Sequence, residues 1–365
     1  MENPLGQRLR ELPGPLLLTG HSGFKGTWMT FLLEHLNIPV VGYSLPAEKD
    51  SLYERAERKG VIPEVFADIR DYNALESFID LHKPSTIIHM AAQPLVLKSY
   101  ESPRETFDVN VMGTVNVLDV AFKKDFVKAI IVVTTDKVYK NDNSGRAFVE
   151  TDPLEGKDPY SASKVGTESV VAAWQQIAQV SGGPKVLSVR AGNVIGGGDF
   201  AKDRLIPDLV RALLSGKFIE IRNPDSTRPW QHVLDPLRGY LLALEFVLAG
   251  NEVKHLNFGP KEEDELMSVR EVALIFKSSF ELTSDKSYEL NFKELNRLDH
   301  RESKFLAIDS TRSKSVLGWE SFWSTRHAVE RSGIWWGKVA LSPGDTSHQI
   351  KEDIIAFLKE HRRGI

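Results

Sequence analysis

From Pro15 onward the chain alternates short apolar runs with longer stretches in which apolar residues recur every three or four positions, and this alternation restricts its fold more than any other feature. The apolar runs predict strands at Leu16–Thr19, Pro39–Tyr43, Glu64–Ala67, Thr86–Met90, Ala129–Thr134 and Val186–Arg190. The stretches between them predict helices near Lys25–Leu36, Tyr72–His82, Pro103–Lys124 and Tyr160–Val180. Strands that are apolar throughout must be covered on both faces, and strands joined by helices run parallel. The first half therefore reads as a doubly wound α/β sheet with helices on both sides. After Arg190 the pattern loosens into a glycine turn (Gly196, Gly197, Gly198), a helix near Ile206–Ser215 and a loop rich in Asn, Pro, Asp and Arg at 222–229. Further helices are expected near Pro236–Ala249, Ser268–Phe280, His327–Val339 and Gln349–Glu360. Residues 1–190 are expected to form mainly one domain and 191–365 mainly a smaller, mixed one, with interleaved segments.

Composition narrows the chemistry. The chain of 365 residues is 41% hydrophobic and 26% charged, enough for a large core, and its net charge of −4 is well mixed. Neither nucleic acid nor anionic membrane is an expected partner, so an anionic ligand has to be held locally. With no cysteine, disulfides, thiolate metal sites and a cysteine nucleophile are excluded. No run approaches the ~18 apolar residues of a membrane span, the N-terminal residues lack a secretory core, and a cytoplasmic location is expected. The spacing of His and carboxylates shows no metal cluster.

Directly after the first strand comes Thr-Gly-His-Ser-Gly-Phe-Lys-Gly, with Gly20, Gly23 and Gly26 where strand passes into helix. Glycines there allow a tight turn and let backbone N–H groups approach a pyrophosphate at the positive end of the helix dipole. Alone the triplet can be a plain helix-entry turn; between a strand and an amphipathic helix it reads as a dinucleotide site. The second strand ends Gly42-Tyr43-Ser44 without the carboxylate that usually bonds the adenosine ribose. Ser44 can bond that ribose, and Lys25 or Lys49 can reach a 2′-phosphate, so NAD and NADP both remain open. Asp68 and Ile69, after the third strand, can bond and cover an adenine, or the region can serve only to start a helix near Asp71. Ala91 and Ala92, after the fourth strand, are small enough for close cofactor approach and equally suited to the core.

Two segments carry the chemistry. Thr134-Thr135-Asp136-Lys137-Val138-Tyr139 starts at the carboxyl end of the fifth strand, where open α/β sheets bind ligands. Tyr160-Ser161-Ala162-Ser163-Lys164 opens the next helix, and its four-residue spacing puts Tyr160 and Lys164 on one face. An unperturbed phenol, with pKa ~10, is a poor base at neutral pH, whereas one beside an ammonium is a candidate for taking a proton from an alcohol as hydride leaves its carbon. Lys164 and Thr135 can bond a cofactor ribose. As an isolated pattern Tyr-x-x-x-Lys is more often a surface pair; after a nucleotide turn in an alternating fold it is specific. Farther on, Asn193 can bond a diphosphate or sugar hydroxyl or cap a turn, Trp230 reads as core, and His232 reads as a structural histidine.

These segments, with His89-Met90-Ala91-Ala92-Gln93, Arg190-Ala191-Gly192-Asn193-Val194-Ile195-Gly196-Gly197-Gly198-Asp199-Phe200 and Arg228-Pro229-Trp230-Gln231-His232-Val233, resemble in order and spacing the extended short-chain dehydrogenases/reductases that modify nucleotide sugars. The resemblance runs from about residue 14 to about 340 and is nearest to the branch that dehydrates CDP-glucose at carbons 4 and 6. It implies a Rossmann-like fold and tightly held NAD against Gly20, Gly23, Phe24, Lys25, Gly26, Ser44, Asp68, Ile69, Ala91, Ala92, Tyr160 and Lys164. It implies a nucleotide-sugar site at Gln93, Asn193, Arg204, Arg228 and Arg301, with Lys202 a weaker phosphate candidate. Relatives acting on dTDP-glucose or GDP-mannose have Asp-Glu after the threonine, whereas the CDP-glucose branch has Asp-Lys, as here. The implied chemistry has Tyr160 serve oxidation at carbon 4, Lys137 take the carbon-5 proton and Asp136 protonate the departing carbon-6 hydroxyl. These roles need a neutral amine and a protonated carboxyl, and a direct Asp136–Lys137 ion pair opposes both. The competing readings are dehydration of dTDP-glucose or UDP-N-acetylglucosamine, nucleotide-sugar epimerisation, and a non-enzymatic NAD-binding regulator. By the same resemblance, the helices near 103–124 and 160–181 are expected to pair with their symmetry mates in a homodimer or a dimer of dimers.

Overall fold

All four residues of the first apolar run are buried, and they form β1 (Leu16–Thr19). A short α1 (Gln7–Glu11) precedes it. In this computed structural model, which describes residues 5–142, 144–217, 219–221, 224–261, 267–283, 287–290, 292–294 and 305–361, the chain then alternates as its pattern requires. α2 (Phe24–His35), β2 (Val40–Ser44), α3 (Leu52–Arg55) and β3 (Glu64–Phe66) complete the first βαβ half. α4 (Tyr72–His82) crosses to β4 (Thr86–His89), followed by α5 (Val96–Glu101), α6 (Pro103–Phe107), a π-helical turn at Asp108–Met112 and α7 (Gly113–Phe122). β5 (Ala129–Val133), a 3₁₀ turn at Asp136–Val138, α8 (Pro159–Ser181) and β6 (Lys185–Ala191) follow. The second half contributes β7 (Val194–Ile195), α9 (Leu205–Ser215), β8 (Ile219–Ile221), β9 (Gln231–His232), α10 (Leu234–Leu248) and β10 (His255–Phe258). It ends with α11 (Val269–Glu281), β11 (Phe292–Glu294), α12 (Thr311–Leu317), α13 (Thr325–Leu341) and α14 (Thr346–His361).

The main sheet is parallel throughout, in the order β10-β6-β5-β4-β1-β2-β3. Six of its strands lie within one residue of the predicted bounds. The seventh, β10, comes from the second half and pairs with β6, so the two halves share one sheet. Successive residues of each strand enter opposite cores: Leu16 and Leu18 pack with Trp28, Ile88, Ile131 and Val189, while Leu17 packs with Val41, Ile87, Ile130 and Val132. The direction in which strands are added to the sheet reverses between β1 and β4, which opens a crevice at their carboxyl ends.

Helix starts are locally encoded. Asp71 caps α4 by accepting from Ala74 N–H (3.0 Å), and Asp158 and Ser161 form a reciprocal capping box at α8, with Pro159 in its first turn. The helix expected over 103–124 is broken by the π-helical turn at Asp108–Met112. There Asn110 binds Gln93 O and Ser163 Oγ (3.1 and 2.8 Å), while its carbonyl accepts the hydroxyls of Thr114 and Thr167 (2.7 and 2.9 Å). The bulge thereby ties the loop after β4 to α8. No helix of the described residues is long and apolar enough to cross a membrane.

Candidate active site

The glycine turn closes against the loop after β4. Gly20 has φ +75°, and a Cβ there would lie 2.8 Å from Ala91 N; a Cβ on Gly26 would lie 2.1 Å from Gly20 O. Thr19 Oγ1 accepts the Met90 and Ala91 N–H groups (3.1 and 3.2 Å), fixing Ala91 as the opposite wall, with Ala92 next to it in the chain. Gly23 is the N-cap of α2 and supplies no side-chain cap, so the first N–H groups of that helix are open to an outside acceptor. This cradle fits a dinucleotide pyrophosphate. Phe24 is half-buried and packs into the core beside Gly196. Ser44 Oγ lies 2.6 Å from Ser22 Oγ at the end of β2. Both carboxylate oxygens of Asp68 are engaged by Arg70, Ile69 is buried against Gly113, and the helix cap falls to Asp71.

Lys25 corrects one expectation. Its amine donates to Tyr240 OH (3.3 Å), and its electrostatic neighbours are Arg204, Lys164, Asp136 and Lys137. Those groups gather at the end of β5, three positions from β2 in the sheet, or about 14 Å at ~4.8 Å per strand. The Lys25 amine therefore lies toward the end of β5 and away from Ser44, where a 2′-phosphate would be bound. Burial among these cations brings its ammonium down to about 7.

Thr135 caps the 3₁₀ turn at the end of β5 and donates to Asp136 Oδ1 (2.9 Å). Asp136 is fully buried, and its Oδ2 has no partner among the described residues. Lys137 Nζ stands 3.4 Å from Asp136 Oδ1, so the ion pair is present but long, and it donates to Asn193 Oδ1 at 3.2 Å. Across from this turn, the first residues of α8 carry Tyr160, whose backbone N–H is held by Ser99 Oγ (3.1 Å). Burial pushes the Tyr160 phenol up to about 12 against the opposing hydrogen bond from Thr135. The Lys164 amine, also buried, donates to Val133 O (3.1 Å), and burial brings it down to about 8. The chain's own groups thus hold Tyr160 as a neutral phenol at neutral pH.

Of the expected substrate residues, Arg204 is bound to Asp199 (2.9 Å) with Tyr160 in its electrostatic neighbourhood. Arg228 is buried and donates to Thr227 O (2.8 Å). The Gln93 amide is engaged within the protein, with Thr106, Leu95 O and Leu95 N–H, and shapes the loop after β4. Trp230 and His232 are buried, His232 with its ring edge-on to Trp28 and Trp323. Arg301 lies outside the described residues, and Lys202 is exposed. Among the described residues no group of three His, Asp or Glu side chains is placed to hold a metal ion.

The sequence reading passed over Tyr240, Ser99, Asn110 and a buried pair below the site. Glu168, one turn after Lys164, binds Arg190 through two 2.9 Å contacts and accepts the hydroxyls of Thr134 and Ser188 (2.6 and 2.7 Å). Arg190 also donates to Tyr139 OH (2.9 Å), so the turn carrying Asp136 and Lys137 is held at both flanks. Four-residue helical spacing from Lys164 is the one local signal that pointed to Glu168.

The model of the NAD dependent epimerase/dehydratase family matches residues 16–259. The chain belongs to that family. This bears out the resemblance drawn from the motifs. Within the epimerase/dehydratase family, the chain is 38% identical over 357 residues to the CDP-glucose 4,6-dehydratase of Salmonella typhimurium, covering 95% of this chain and 97% of that protein. It is 26% identical to a dTDP-glucose 4,6-dehydratase of Xanthomonas campestris, covering 88% and 92%. The dTDP-glucose 4,6-dehydratase of Streptomyces venezuelae, solved with NAD, superposes with a TM-score of 0.73 at 26% identity, covering 90% of this chain and 98% of that one. The fold alone is shared with the UDP-glucose 4-epimerase of Thermus thermophilus, at a TM-score of 0.76 and 20% identity, covering 89% and 99%.

Proposed function

We propose that this member of the epimerase/dehydratase family is an NAD-dependent hydro-lyase that converts CDP-glucose to CDP-4-keto-6-deoxyglucose. The observation that carries this reading is the Asp136–Lys137 pair beside Tyr160 and Lys164, because oxidation at carbon 4 alone needs no second acid–base pair. The likeness to the Salmonella enzyme over nearly the whole chain supports the choice of nucleotide and sugar.

When bound against the glycine turn and beside Tyr160 and Lys164, NAD would supply the redox chemistry, as acceptor of the carbon-4 hydride and source of the hydride returned to carbon 6. Tyr160 would accept the carbon-4 hydroxyl proton as phenolate, the form that positive charge from the cofactor ring and from Lys164 favours over the neutral phenol that burial alone holds, while Thr135 hydrogen-bonds to it. Lys137 removes the carbon-5 proton, made acidic by the new ketone. Asp136 delivers a proton to the carbon-6 hydroxyl, which departs as water, and its buried Oδ2 is a candidate for that proton. Lys25 and Arg204 bring positive charge to the site, and the resemblance assigns the diphosphate to Arg228.

The test is to supply the purified protein with NAD and with CDP-, dTDP- or UDP-glucose, and to follow the alkali-induced absorbance of the keto sugar. CDP-glucose should be turned over without net accumulation of reduced cofactor. Preference for another nucleotide overturns the substrate, and no turnover with any overturns the reaction. We further infer a cytoplasmic homodimer joined through α6, α7 and α8. Phe107, Met112, Ile177 and Val180 are exposed on these segments, a surface suited to an isologous contact.

A further inference from the structure

Lys137 is an unusual place to mount a base. Its side chain is 32% exposed, in contrast to the buried Lys164, so packing does not hold its four-carbon stem. Two contacts hold its amine: Asp136 Oδ1 at 3.4 Å on its own turn, and Asn193 Oδ1 at 3.2 Å from the far side of the site. The Asn193 end is mounted rigidly. Its carbonyl accepts Gln231 N–H (3.0 Å), and the neighbouring Gly192 is pressed on Pro229, where a Cβ would come within 2.7 Å of the proline ring. The segment 228–231, which carries Arg228, therefore shares one frame with the amine of Lys137.

We propose that Asn193 is a positioning residue for the elimination step, its side-chain carbonyl holding the Lys137 amine where it takes the carbon-5 proton. The choice of an amide has a chemical reason. A neutral carbonyl accepts an N–H from an amine as readily in kind as from an ammonium, so it fixes position without demanding the charged form, which cannot act as a base. A carboxylate at the same place would favour the ammonium. The charges around Lys137 are already mixed, with Asp136 on its own turn and the Lys25 amine, itself in the field of Lys164 and Arg204, arriving from α2. This assignment rests on reading Lys137 as the base.

The test compares Asn193→Ala, Asn193→Asp and Lys137→Met with the wild type. All are supplied with NAD and CDP-glucose, and circular dichroism checks the fold. Asn193→Ala should lower kcat by about 10- to 100-fold, as expected for a misplaced catalytic group. The deciding readout is kcat, because the resemblance also places Asn193 at the nucleotide sugar and loss of a shared contact there raises KM alone. Reduced cofactor should accumulate in a single turnover, and solvent deuterium should enter carbon 5 more slowly by the same factor as kcat. Asn193→Asp is nearly isosteric and keeps the acceptor; the acidic limb of its kcat profile should move up by about one to two pH units.

A raised KM with kcat intact in Asn193→Ala would make Asn193 a substrate ligand and overturn the proposal, as would an Asn193→Asp profile superimposable on the wild type. If Lys137→Met keeps normal turnover and labelling, the reading of Lys137 as base falls and the proposal falls with it. If Lys137→Met loses carbon-5 labelling while Asn193→Ala keeps it, only the role of Asn193 is overturned.

Discussion

Glu168→Gln is a perturbation whose size follows from the contacts it breaks. The Glu168 carboxylate accepts two bonds from Arg190 and one each from Thr134 and Ser188, and both charged side chains are 2% exposed. A glutamine keeps one acceptor oxygen and turns the other into an NH₂ group facing donors. It also leaves the Arg190 guanidinium facing neutral groups alone, the Tyr139 hydroxyl, the Glu150 carbonyl and the one remaining amide oxygen, with no opposite charge. Removing one member of such a pair costs about 3–5 kcal/mol, roughly a fifth or more of the ~5–15 kcal/mol that typically holds a domain folded. Urea denaturation followed by tryptophan fluorescence should show a midpoint lowered accordingly with an unchanged slope. The pH dependence adds a second, signed test. Burial pushes the Glu168 carboxyl up, but Arg190 and His255 outweigh it and hold the group well below the usual carboxylate range. Its contribution is therefore complete above about pH 4.3, the unfolded value, and is lost as pH falls below it. Wild-type stability should drop through that acid range, and Glu168→Gln should lack this part of the drop. Removing both charges in Glu168→Gln with Arg190→Met should cost less than Glu168→Gln alone. A single variant within about 1 kcal/mol of the wild type, with a parallel acid slope, would refute the reasoning.

Three further outcomes follow from the same geometry. Tyr160→Phe removes the phenol that serves the first oxidation, so kcat should fall by about 10²–10⁴-fold and no reduced cofactor should appear in absorbance on adding CDP-glucose. Lys164→Met should abolish activity yet stabilise the cofactor-free protein. Burial brings Lys164 down to about 8 while the unfolded chain binds that proton up to ~10.4, so its charge destabilises the fold at neutral pH by on the order of 3 kcal/mol. Thermal melts at pH 7 should show the gain, and it should shrink as pH rises above about 8 and vanish above about pH 11, where neither state is protonated. Met112→Glu with Ile177→Glu puts charge on the exposed apolar face of the 103–122 and 159–181 helical segments and should turn a dimer into a monomer in light scattering; a monomeric wild type at micromolar concentration sinks the assembly proposal.

Much of the fold was legible because its determinants are local. Four- to six-residue apolar runs announced six strands, and the caps at Asp71 and Asp158 lie within three residues of the groups they bind. β10 escaped because two of its four residues, His255 and Asn257, are polar. Asn257 is buried only because its amide N–H groups find Phe148 O and Asp309 O (3.0 and 3.1 Å) while its oxygen accepts from Tyr139 (2.7 Å). The break in the helix over 103–124 escaped for a related reason, since the π-helical turn is held in place by Gln93, Ser163 and Thr167, partners outside the helix.

The site divides along the same line. Thr135, Asp136 and Lys137 are contiguous, and Tyr160 and Lys164 are one helical turn apart, so their grouping was determined by the sequence through backbone geometry alone. Only the tertiary structure decided that Lys25 turns toward Tyr240, that Asn193 meets Lys137, and that Glu168 meets Arg190. Those partners stand 215, 56 and 22 positions apart along the chain. The protonation states belong to the same class. Tyr160 is pushed up to about 12 and Lys164 down to about 8 by burial that no sequence window contains, because the free energy of a charge depends on the solvent and the neighbours that surround it in three dimensions.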